Sequence, residues 1–141
     1  LDYGLVLRMK ARFPELLICI NGGISSLEQA RGFLDQGLDG VMIGRAAYHD
    51  PASVLVGADQ LWGDDFARQP IDVVEAMKPY ILAHLEQGGR LHQITRHMLG
   101  LFTGRPGARH WRRVLSEGSS RDGAGLELLD LALDQVRRAA A

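Results

Sequence analysis

The stretch that most restricts the possible folds is residues 16–45, LLICINGGISSLEQARGFLDQGLDGVMIGR. A continuous apolar run, Leu16 to Ile20, ends in Asn21-Gly22-Gly23, and a second run, Gly40 to Ile43, ends in Gly44-Arg45. Between them Ser25-Ser26-Leu27-Glu28 carries a capping-box pattern, and the helix it opens, through Ala30, Phe33 and Leu34, stops near Gly37. A short unbroken apolar run followed by glycine reads as a parallel strand covered on both faces. Strand, helix and strand joined by short turns make a βαβ unit with a right-handed crossover.

Both glycine turns fall at the carboxyl end of an apolar run, where backbone N–H groups near helix starts attract phosphate. In (β/α)₈ barrels such a site is frequently built from the loops after the last two strands. Asn21, Gly22, Gly23, Gly44 and Arg45 are therefore the candidate phosphate-binding residues. Glycine lets backbone approach an anion, and Arg45 can add a charge-assisted bond. A phosphate here can belong to flavin mononucleotide, a phosphosugar or pyridoxal phosphate, and the residues leave that choice open.

The flanking segments fit this frame. Asp2 is placed to cap a first helix with apolar positions Leu5, Val6, Met9 and Phe13, stopped by Pro14. Asp50 and Pro51 start a helix expected to run to Gly63. Residues 64–70 are polar and aperiodic, which marks them as a linker between an α/β segment, 1–63, and a helical segment, 71–141. In the latter, Asp72 and Glu75 read as a capping pair for a helix to Gln87, and Pro79 predicts a kink or a break in it. Leu91, Ile94, Met98 and Leu101 stripe a second helix, Ala108, Trp111, Val114 and Leu115 a third, and Leu126, Leu129, Leu133 and Val136 a fourth. The fold class is α/β: the C-terminal end of a (β/α)₈ barrel followed by an all-α bundle. A full barrel takes about 250 residues, so 141 residues beginning at Leu1 are expected to be a C-terminal piece of a larger protein.

The net charge of −1 is unevenly spread. Residues 1–87 sum to −5 and 122–141 to −2, whereas 88–121 hold seven arginines against Glu117 alone. On the third helix Arg109, Arg112, Arg113 and Ser116 share the face opposite the apolar stripe, and Arg90, Gln93, Arg96 and His97 gather on the polar side of the second, with His92 and His110 as further donors. Arginines so grouped grip phosphates bidentately and stack on bases, which predicts RNA or another polyanion as partner. Cys19 rules out an intrachain disulfide and is expected in the core, in keeping with a reducing, cytoplasmic setting. Its apolar run is far shorter than the roughly 20 residues of a membrane span. No residue grouping has metal-ligand spacing, so no metal is expected.

INGGISSLEQA, DGVMIGRAAY and LHQITRHMLGLFTGRPGARHWRRVLSE together resemble the C-terminal part of the A-type tRNA-dihydrouridine synthases, over essentially the whole chain. The arginine-rich RHMLGLF…GARHWRR segment is the more specific part, since NGG and GR occur in several flavin barrels. The resemblance implies an FMN-bearing barrel followed by a helical tRNA-binding domain, and reduction of D-loop uridines 20 and 20a to dihydrouridine at the expense of NADPH. It assigns Asn21, Gly22 and Gly23 to the first FMN-phosphate turn, Gly44 and Arg45 to the second, and Arg96, Arg109, Arg112 and Arg113 to tRNA contact. The target base has to leave its stack to react. The family's catalytic cysteine lies earlier in the barrel and has no match here, nor do its flavin-ring lysine, histidine and glutamine; Cys19, Lys10 and Lys78 match none of these places. No catalytic residue is therefore expected in this chain, which alone should be inactive. Two other readings compete: a phosphosugar-binding barrel enzyme, and a non-catalytic RNA-binding module.

Overall fold

The structure, a computed structural model, describes residues 1–63 and 69–140. The chain divides into two compact units, Leu1–Ala67 and Arg68–Ala141. Most of the expected linker, residues 64–68, lies outside the described residues.

The first unit runs α1 (Tyr3–Arg12), β1 (Cys19–Asn21), α2 (Leu27–Asp35), β2 (Gly40–Met42), α3 (Arg45–His49), α4 (Pro51–Val54) and a 3₁₀ turn, Ala58–Trp62. Asp2 caps α1 by accepting from the Leu5 N–H at 2.9 Å. The inward face of α1 is Tyr3, Val6 and Leu7, whereas Leu5 and Met9 are exposed. The expected stripe was thus rotated by part of a turn, because Tyr3 is recruited by the ring of Phe33, with centroids 5.0 Å apart.

β1 and β2 pair in parallel, with Cys19 opposite Gly40, Ile20 opposite Val41 and Asn21 opposite Met42. The ladder is shorter than the apolar run because its start is occupied. Asp39, just before β2, accepts from the Ile18 N–H at 2.8 Å and from Lys10 at 2.8 Å, while Lys10 also donates to the carbonyls of Pro14 and Leu16. The Lys10 bond, then that of Ile18, holds the Asp39 carboxyl below its ordinary range. Ile20, Ile24, Phe33 and Leu38 form the core, joined by Ile18, Val41 and Ile43. Alternation sends Leu17 and Cys19 to the other face, where both are exposed. Within the described residues this sheet is covered on one face only, and Cys19 stands on its open face rather than in the core.

Ser26, one residue later than expected, is the N-cap of α2. Its hydroxyl accepts from the Gln29 N–H at 3.1 Å, and the Gln29 side chain returns to the Ser25 N–H at 3.0 Å. Glutamine at the third helical position serves where Glu28 was expected. The helix expected from Asp50 to Gly63 is interrupted at Gly57: α4 is a single turn capped by Asp50, and the 3₁₀ turn ends at Gly63 with φ 84°.

The second unit is helical: α5 (Pro70–Glu86), α6 (His92–Thr95), α7 (Ala108–Gly118) and α8 (Leu126–Ala140). Pro70 opens α5 rather than closing a linker, and Asp72 is its third helical residue, accepting from the Gln69 N–H at 2.9 Å. Pro79 lies inside a helix that runs without a break. Trp111 is fully buried, donates its indole N–H to the Met98 carbonyl at 3.0 Å, and meets Phe102 edge to face at 5.0 Å. Around it pack Val74, Ile81, Leu91, Leu101, Leu115, Leu129 and Leu133. α7 can lie against α8 because a Cβ on Gly107 would stand 2.8 Å from the backbone of Val136, and one on Gly118 would stand 2.8 Å from Leu128. The helix expected around Leu91–Leu101 is only four residues long. Beyond it the backbone closes successive three-residue turns (Met98 to Thr95, Leu101 to Met98, Thr103 to Gly100), which still bury Met98, Leu101 and Phe102.

A four-charge network joins α5 to α8. Lys78 touches Glu75 and Asp130 at 2.8 Å each, and Arg137 touches Glu75 at 2.6 Å and Asp130 at 3.2 Å. Lys78, the leading cause, with Arg137 behind it, holds both carboxyls below their ordinary range. A depressed carboxyl pKa stabilises the fold above the unfolded-state value and loses that effect as pH falls through the folded-state value. Lys78→Met is therefore expected to destabilise the helical unit by about 1 kcal/mol at pH 7, with the difference shrinking below roughly pH 4. Urea titrations followed by Trp111 emission check this, and a deficit of undiminished size at pH 3 would sink it.

Candidate functional site

The parallel register brings the two glycine turns together. β1 ends at Asn21 and β2 at Met42, directly opposite, so both chains leave the sheet at the same level. The carboxyl ends of parallel strands are the general ligand-binding edge of α/β sheets. Here they open onto a cavity of about 530 Å³ lined by Asn21, Gly22, Gly23, Ser25, Gly44 and Arg45, with Ile24, Met42 and Ala46. All five sequence-predicted phosphate residues line it. Cys19 does not.

The turn is built for close approach. Gly22 has φ 114° and Gly23 φ 65°, conformations that side chains rarely permit. Among the described residues nothing accepts from the Gly23 or Gly44 N–H, so both donors are free for a ligand. α3 begins at Arg45, directly after Gly44, ahead of the helix start expected at Asp50. The Arg45 side chain is exposed and has no protein partner among the described residues. A Cβ on Gly44 would meet only the Met42 sulfur, at 3.9 Å, so the space beside it is open on the protein side. Free N–H donors, an unpaired guanidinium and open space beside Gly44 fit a phosphate monoester, while the Leu1 side chain and the Tyr3 hydroxyl pack against Gly22 and Gly23.

Arg109, Arg112 and Arg113 are exposed on α7, opposite buried Ala108, Trp111 and Leu115. Among the described residues they make no ion pair or side-chain hydrogen bond. Arg96 is exposed but caps the short α6 instead of sharing a helix face with Arg90, and its Nε donates to the His97 Nε2 at 3.0 Å. Arg90 is taken by Asp122 at 2.8 Å. His110 turns towards α8, its Nε2 lying 3.1 Å from the Leu131 carbonyl, so it does not add to the basic face. Lys10 and Lys78 are both engaged in the ion pairs described above. Among the described residues no helix is long and apolar enough to cross a membrane, and no group of three or more His, Cys, Asp or Glu residues could hold a metal.

A parallel βαβ unit whose two glycine turns line one cavity at the carboxyl ends of its strands defines the class of this unit as α/β. Residues 1–139 match the family model described as dihydrouridine synthase (Dus), and the chain belongs to that family. It is 55% identical over 139 residues to the tRNA-dihydrouridine(20/20a) synthase of Shewanella oneidensis, covering 97% of this chain and 41% of that protein. It is 50% identical over 137 residues to the protein of the same name from Escherichia coli K12, covering 96% and 39%. For that of Vibrio parahaemolyticus the identity is 47% over 137 residues, covering 96% and 42%. The chain thus spans about two fifths of the length of these relatives.

Gly44→Val is expected to fold normally, since its Cβ has room, and to cut retention of a phosphate-bearing ligand at least tenfold by filling the space beside the N–H donors. Ligand content of the purified whole protein measures this; unchanged occupancy would refute the site.

Proposed function

We propose that this chain is the phosphate-anchoring and RNA-gripping part of an FMN-dependent tRNA-dihydrouridine(20/20a) synthase. In this reading residues 1–63 are the last βα units of a (β/α)₈ barrel and residues 71–141 a helical tRNA-binding domain. The observation that carries it is the single cavity lined by both glycine turns and Arg45, in a chain half identical to proteins of that name.

The Gly23 and Gly44 N–H groups and Arg45 hold the FMN phosphate, and Asn21 shapes the first turn. When bound, FMN supplies hydride for reduction of a uracil ring, with NADPH as the ultimate reductant. This chain's contribution is to anchor and to orient. Cys19, outside the cavity, is no proton donor to the ring, and the catalytic cysteine belongs to a part of the barrel beyond this stretch. Arg109, Arg112 and Arg113, with Arg96 at the end of α6, bind tRNA phosphates and hold the RNA by shape and backbone while one uridine leaves its stack.

A flavin absorbance spectrum of the whole protein, with dihydrouridine measured in tRNA after incubation with NADPH, tests the reading; a colourless protein would overturn it. Arg112→Glu is expected to weaken tRNA binding about tenfold or more and to flatten its salt dependence while FMN content stays at the wild-type level. Filter binding and flavin absorbance report the two separately, and parallel loss of both would break the proposed division of labour.

A further inference from the structure

Tyr3 stands at the first turn of α1, nineteen residues before the glycine turn in sequence, and its hydroxyl donates to the Gly22 carbonyl at 2.6 Å. The ring is part-buried and fixed edge-on against Phe33, with centroids 5.0 Å apart. Asp2 caps the turn that carries it. The hydroxyl is therefore held by packing before it meets the loop. Tyr3 is not among the residues that line the cavity formed by the two turns, and its hydroxyl engages the Gly22 oxygen from α1.

Every peptide bond described here is trans, so within the Gly22–Gly23 peptide the C=O and N–H point in opposite directions. A donor that holds the oxygen on one side thereby turns the Gly23 N–H to the other. Without that donor, two consecutive glycines could rotate the peptide plane and present a carbonyl dipole, repulsive to an anion, to the ligand. The spacing also limits what can stand at position 23, since a Cβ there would lie 3.2 Å from the Tyr3 hydroxyl.

We infer that Tyr3 is a positioning residue for phosphate binding, acting through the Gly22 carbonyl to orient the Gly23 N–H; this rests on reading the cavity as the FMN phosphate site. Tyr3→Phe keeps the ring on Phe33 and removes only the donor. In the whole protein stripped of flavin, affinities for FMN and for riboflavin, which lacks the phosphate, are measured by fluorescence quenching, beside wild type and Gly44→Val. The expected result is an FMN affinity about tenfold weaker in Tyr3→Phe, unchanged riboflavin affinity, and a melting temperature of the apoprotein equal to wild type. Equal weakening for both flavins would make the role merely structural and overturn the inference. An unchanged FMN preference in Tyr3→Phe, where Gly44→Val has lost it, would overturn the Tyr3 role while leaving the site intact. No preference for FMN over riboflavin in the wild type would remove the phosphate site, and the Tyr3 role with it.

Discussion

The structure of the first unit depends on the parallel register of two three-residue strands. With Ile20 opposite Val41, the strands end side by side, and the two glycine turns meet because of that pairing. A slip of one residue would exchange Ile20 for Cys19 or Asn21 on the core face. It would also move Gly44 and Arg45 out of level with Gly22 and Gly23. Little within the ladder itself resists such a slip. The Lys10–Asp39 pair, reaching Ile18 and the carbonyls of Pro14 and Leu16, fixes the point where the strands begin. One ion pair at the amino end of the sheet thus governs the geometry of a site at its carboxyl end.

In the second unit a buried tryptophan plays the corresponding part. Trp111 binds α7 to the 98–102 turns through its ring and its N–H. Once Ala108, Trp111 and Leu115 face inward, helical periodicity leaves Arg109, Arg112 and Arg113 no direction but outward. The four-charge network lies elsewhere, between α5 and α8, and uses Arg137 and Lys78, not the arginines of α7. Cations that hold the fold and cations free for a ligand are therefore different residues.

Much of this was legible in the sequence, because glycine, proline and apolar spacing act locally. The βαβ unit, the turn positions, the stripe of α7 and the outward arginines follow from such rules. The errors occurred where tertiary contacts decide. Ser26 displaced Ser25 as cap because Gln29 as well as Glu28 completes the motif. Leu5 and Met9 have the right spacing, yet Tyr3 and Phe33 attract the helix the other way. The apolar positions of 91–101 persist in a chain that leaves the α-helix after Thr95 and continues in tighter turns, with Gly100 and Gly104 at its end. Cys19 lies on the face opposite Ile20 because alternation, not hydrophobicity, assigns its side. Tyr3 had no local signature at all: its partner is nineteen residues away, and only the folded chain brings the two into contact.

The placement of the α7 arginines carries an energetic argument of its own. Arg109, Arg112 and Arg113 occupy the first two turns, no acidic residue stands in the first turn, and Gly107 offers no side-chain cap. A cation in the first turn of a helix opposes the macrodipole, typically by about 0.3–1 kcal/mol, and of the three only Arg109 lies there. For stability alone the opposite charge distribution would serve better, and α5 and α8 follow it, with Asp72 and Glu127 in their first turns. An anion bound at the head of α7 would reverse the sign of the penalty. It would meet N–H groups without a side-chain cap and the guanidinium of Arg109 in the same turn. A positive helix end of this kind accords with the proposed function, in which a phosphate backbone is the partner.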